Sequence, residues 1–105
     1  MNLQLKKKRC VVTGASQGLG RSIATILASE ECELVLVARR KKPLQDTAKL
    51  IAKKYKTKVF ILSLDVTSKN ADAKIKNFAL SKLGSIDILI NSAGGSRPTT
   101  WDAPE

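Results

Sequence analysis

Histidine is absent from this sequence, and its 105 residues include only two cysteines, one tyrosine, one tryptophan and two phenylalanines. Without histidine there is no Cys/His metal spacing, and Cys10 and Cys32 form no CxxC pair, so no metal site is expected. The two thiols read as buried or incidental, one in a strand and one in a loop. Long apolar runs are also missing. Val35-Leu36-Val37-Ala38 and Ile88-Leu89-Ile90 are strand-sized, far below the roughly 20 residues that span a bilayer. The basic start is separated from Gly14 by only Cys10-Val11-Val12-Thr13, which leaves no h-region for a secretory signal. A cytoplasmic protein with no membrane partner is expected. No repeat or low-complexity segment is present.

Acidic residues are scarce: 9 against 19 basic ones, for a net charge of +10. The cations cluster at Lys6-Lys7-Lys8-Arg9, at Arg39-Arg40-Lys41-Lys42 and around Lys53-Lys54, Lys56 and Lys58. Such clusters suggest nucleic acid, but the aromatics Tyr55, Phe60, Phe78 and Trp101 are scattered rather than interleaved with them. The charge therefore reads as a solvated lysine-rich surface that can steer anions, with no nucleic-acid partner.

The apolar fraction is 43%, enough to build a core. Strand and helix patterns alternate. Strands are predicted over Arg9 to Thr13, Glu33 to Ala38, Val59 to Leu64 and Ile86 to Asn91. The first helix runs from about Leu19 to Glu30, with Leu19, Ile23, Ile26 and Leu27 as its buried face and small Ala24 and Ala28 allowing close approach to the sheet. Pro43 suits the first turn of the second helix, followed by Leu44, Ala48, Ile51, Ala52 and Tyr55 at helical spacing. Ser68 is the expected cap of the third helix, with Ile75, Phe78, Ala79 and Leu83 inward and Gly84 at its end. This pattern predicts an α/β fold: a Rossmann-like, doubly wound parallel sheet of strand order 3-2-1-4, truncated before a second half. Its switch point lies between strands one and four, where ligands of such sheets bind.

Thr13-Gly14-Ala15-Ser16-Gln17-Gly18-Leu19-Gly20 leaves the first strand and opens the first helix. Gly14 permits the tight turn, Gly18 lets backbone N–H groups approach a pyrophosphate, and Gly20 allows close packing of helix on sheet. The helix start adds unpaired donors and partial positive charge, and Ser16 adds a hydroxyl. The spacing is neither G-x-G-x-x-G nor the phosphate loop G-x-x-x-x-G-K-[ST], since Arg21 stands after Gly20.

This loop resembles the cofactor loop of the short-chain dehydrogenase/reductase family. Asp65-Val66 resembles that family's adenine-contacting acidic position and its neighbour. Ile86-Asp87-Ile88-Leu89-Ile90 followed by Asn91-Ser92-Ala93-Gly94 is similar to its fourth-strand segment ending in Asn-Asn-Ala-Gly, with Ser92 replacing the second Asn. The resemblance covers essentially the whole chain, in family order. It implies cofactor contacts from Thr13, Gly14, Ser16, Gln17, Gly18, Leu19 and Gly20, from Asp65 and Val66, and from Asn91, Ser92, Ala93 and Gly94. It also implies an oxidoreductase moving hydride between a nicotinamide cofactor and a small carbonyl or alcohol substrate, working as a homo-oligomer. The family's catalytic Ser and Tyr-x-x-x-Lys lie in the later half of longer chains. Here the one tyrosine is Tyr55, and Val59 stands four positions on. Residues 1–105 are thus expected to be the cofactor-binding, N-terminal portion of one domain, with no catalytic residue of their own, as in a truncated product or partial sequence. A non-catalytic NADP(H)-binding or regulatory protein is the alternative.

The second strand ends Val37-Ala38-Arg39-Arg40. NAD-preferring Rossmann proteins place an acid there for the ribose hydroxyls; here Ala38 takes that position and a guanidinium follows. Arg39 can pair with the 2′-phosphate of NADP, with Arg40 behind it or in solvent. The expected cofactor is NADP(H), with NAD(H) second. Gln17 departs from the Lys or Arg that many NADP-using family members carry before the second glycine.

Overall fold

The computed structural model describes residues 6–92. Seven elements follow one another: β1 (Arg9–Thr13), α1 (Gly18–Ser29), β2 (Glu33–Ala38), α2 (Lys41–Lys54), β3 (Val59–Ser63), α3 (Ala71–Leu83) and β4 (Ile88–Asn91). The strands form one parallel sheet in the order β3-β2-β1-β4, as the alternation predicted. Cys10 lies opposite Leu34 and Ile88, and Thr13 lies opposite Val37 and Asn91, so β1 is central.

Strand side chains alternate faces, and each face has its own core. Cys10, Val12, Leu34 and Leu36 meet Ala24, Leu27 and Ala28 of α1 and Leu44 and Ile51 of α2. Val11, Val35 and Val37 meet Ile75, Ala79 and Leu83 of α3 on the other side. Helices thus cover both faces, and β1 and β2 must be apolar on both. Each fully buried Leu or Val contributes about 1.5–3 kcal/mol.

The register of α1 differs from the expected one. Gly20, Ala24, Leu27 and Ala28 are buried and Ile23 packs at the edge, while Leu19 is 70% and Ile26 57% exposed. The row Gly20-Ala24-Ala28 faces the sheet because backbone must meet backbone at Gly20. That choice rotates Leu19 and Ile26 outward.

In α2, Pro43 sits in the first turn as expected, where an N–H would have no helical partner. Ala52 is exposed rather than inward, since Ile51 takes the centre of the face. Thr47 is buried instead. Tyr55 lies just past the helix, on the core.

Ser68 does not cap α3. The N-cap is Asn70, in the left-handed region at φ 62°, which asparagine tolerates. The Ser68 hydroxyl donates instead to the Asp65 carbonyl at 2.6 Å. Gly84 ends the helix at φ 86°, as predicted. Strand β4 begins at Ile88 rather than Ile86. Asp87 is drawn aside because its Oδ2 accepts from the Arg9 backbone N at 2.8 Å, while its own N–H donates to the Arg9 carbonyl.

Candidate functional site

The C-terminal ends of β1, β2 and β4 open on one side of the sheet. Gly14 leaves β1 at φ 64° and Gly18 starts α1 at φ 60°, both in the region where a Cβ is strained. A Cβ on Gly18 would meet no other atom, so the loop is bare there and open to a ligand. Gly20 is different. A Cβ there would collide with the Gly14 carbonyl and lie 2.5 Å from Ser92 Oγ. Gly18 thus faces open space among the described residues, whereas Gly20 clears space for the protein itself.

Helix α1 has neither a side-chain cap nor an acidic residue in its first turn. Its start carries partial positive charge that no acidic side chain of its first turn balances.

A cleft of about 500 Å³ runs past this helix start. Gly14, Ser16, Gln17, Gly18, Leu19 and Gly20 form one wall, Arg39 and Arg40 with Ala38 a second, and Asp65 and Val66 a third, with Ser92 beside them. Segments far apart in sequence therefore meet on one cavity. Thr13 and Asn91 stand behind it. Thr13 is buried, and its hydroxyl donates to Asn91 Oδ1 at 2.9 Å. The Ser92 hydroxyl donates to the Thr13 carbonyl at 2.5 Å, joining the ends of β1 and β4. Ala93 and Gly94 lie outside the described residues.

The site holds residues that the sequence reading did not select. Leu64 and Thr67 line the cleft. Thr67 donates to Asp65 Oδ1 through its hydroxyl at 2.6 Å and its backbone N at 2.9 Å. The D-x-T spacing of an Asx turn was the available signal. These bonds from Thr67, with a smaller contribution from the Arg39 charge, hold the Asp65 carboxyl below its ordinary range. Ser63 Oγ donates to the Arg39 carbonyl at 3.0 Å and fixes the backbone that carries the guanidinium. Thr47 of α2 reaches the Ser16 carbonyl at 3.4 Å, linking the arginine-bearing side to the glycine loop.

A parallel sheet of this order, with a bare glycine turn and an uncapped helix at the switch point, defines a Rossmann-type nucleotide-binding fold. The family model for short chain dehydrogenases matches residues 8–104. An uncharacterized oxidoreductase of Staphylococcus aureus is 40% identical over 90 residues, covering 86% of this chain and 38% of the relative. The 7alpha-hydroxysteroid dehydrogenase of Escherichia coli is 33% identical over 106 residues, covering 98% of this chain and 40% of the relative. L-sorbose reductase from Gluconobacter frateurii, complexed with NADPH and L-sorbose, superposes with a TM-score of 0.86 at 33% identity. That match covers 100% of this chain and 40% of the reductase. The chain belongs to the short-chain dehydrogenase family. It spans about two fifths of the length of these relatives.

Proposed function

We propose that the protein is an NADP(H)-dependent oxidoreductase acting on a small carbonyl or alcohol, and that these 105 residues supply its cofactor-binding portion. The cofactor, when bound, supplies or accepts the hydride. The chain's own residues hold it: the N–H groups from Gly14 to Gly20 and the start of α1 receive the pyrophosphate, with the Ser16 hydroxyl beside them. Asp65 and Val66 border the adenine side. Asn91, held by Thr13, and Ser92 form the floor between the strands. Leu19, a large aliphatic side chain 70% exposed at the cleft, is the kind of surface that a bound dinucleotide shields from water.

One observation carries the preference for NADP. Arg39 and Arg40 line the same cleft as the glycine loop, and Ala38 stands where an acid would serve an NAD ribose. A guanidinium–phosphate hydrogen bond is worth about 1.5–3 kcal/mol, or roughly ten- to hundredfold in affinity. The NADPH bound to the sorbose reductase supports this reading. A homo-oligomer in the cytoplasm is part of the same proposal.

Titration with NADPH and NADH, before and after Arg39→Asp, tests it. The unaltered chain should favour NADPH, and the variant should lose that margin. An unchanged preference in the variant removes Arg39 from the argument; no binding of either dinucleotide removes the site.

A further inference from the structure

A second cleft, of about 530 Å³, lies between α1 and α2 and shares no lining residue with the first. Leu50, Ile51 and Tyr55 give it an apolar surface, and Leu50 is 54% exposed. Three cations border it: Arg21 from α1, and Lys53 and Lys54 from the end of α2. No carboxylate lines it. None of the three cations has an ion pair among the described residues; Lys54 Nζ sits 5.5 Å from the Tyr55 ring centroid.

Two costs coincide here. An aliphatic side chain is left in water, and three like charges gather without a counter-charge. A ligand with an apolar body and one negative group covers the first and offsets part of the second. The volume selects its size. It falls in the range of about 300–1,000 Å³ typical of small-molecule sites.

We propose that this cleft binds a small amphipathic anion, a medium-chain aliphatic monocarboxylate, with its chain on Leu50, Ile51 and Tyr55 and its carboxylate among Arg21, Lys53 and Lys54. The site shares no lining residue with the dinucleotide cleft, to which Thr47 links it through the Ser16 carbonyl.

Calorimetric titration of the full chain with decanoate, below its micelle concentration, tests this. One saturable site is expected, and decyltrimethylammonium, of equal chain length and opposite charge, should show none. Leu50→Glu and the pair Lys53→Glu/Lys54→Glu should each weaken decanoate by about tenfold or more, as expected for losing a charge-assisted contact or its apolar partner. Lys74→Glu/Lys76→Glu on α3 makes the same charge change as the lysine pair, elsewhere, and should leave binding intact, as should Arg39→Asp. Equal binding of the cationic amphiphile, indifference to Leu50→Glu, or loss of decanoate on Arg39→Asp would each overturn the proposal.

Discussion

Ser92 fills the space that a side chain at Gly20 would need. The Ser92 hydroxyl, bonded to the Thr13 carbonyl, sits where a Cβ on Gly20 would come within 2.5 Å of it, and the Gly14 carbonyl blocks the same point. Gly20→Ala should therefore destabilise the protein by about 3 kcal/mol, the upper end for forcing an extra methyl into a packed core. Gly18→Ala, at φ 60° but in open space, should cost only about 1–2 kcal/mol, the strain of a left-handed backbone. Adding Ser92→Ala to Gly20→Ala should recover only part of the loss, because the Gly14 backbone remains. Urea unfolding of the three variants measures this order; equal losses at the two glycines would contradict it.

Thr13 orients Asn91 through a 2.9 Å hydrogen bond from a buried hydroxyl. Thr13→Val keeps the shape and deletes the donor. A loss of about 1 kcal/mol in stability is expected, with weaker dinucleotide binding because the Asn91 amide is no longer held. Thr13→Ser should retain most of both. If Val and Ser behave alike, the hydroxyl is not what positions Asn91.

The Asp65 carboxylate is favoured first by Thr67 and then by Arg39. Its folded-state pKa lies below the ordinary 3.8, so its support for the fold is present above that value and lost as pH falls through the folded value. Thr67→Ala should raise the Asp65 pKa toward 3.8, and by more than Arg39→Ala does. Carboxyl chemical shifts followed through an acid titration give both values. The reverse order would assign the shift to the guanidinium.

Cys10 and Cys32 are both fully buried, and burial pushes both thiols upward, Cys10 strongly. The thiolate is the reactive form, so neither should react with a disulfide reagent at pH 8 while the protein is folded. Both should react in denaturant. Rapid labelling of either in the native state would show that the base of the sheet opens readily.

Much of this fold was legible from local pattern. The limits of β1 and β2 follow from runs that are apolar on both faces, which only a central parallel strand requires. That the glycine loop and Arg39 share one side of the sheet was legible as well, because both leave the C-terminal ends of adjacent parallel strands. Ser68 and Asp87 were not. Each has a hydroxyl or carboxylate with several possible local partners, and the choice fell to Asp65 for one and to β1 for the other. Thr47 was hidden inside an apolar row, where only contact with Ser16 gives its hydroxyl a purpose.

The sequence by itself determined the alternation of strands and helices, the parallel sheet and the glycine turn between β1 and α1. Only tertiary structure decided how α1 is rotated on the sheet, and so which of its leucines and isoleucines face water. Periodicity records which residues share a side of a helix, but not which side is chosen. Here the choice was made by the close approach of α1 to the end of β1 at Gly20, where any side chain would collide with the Gly14 carbonyl.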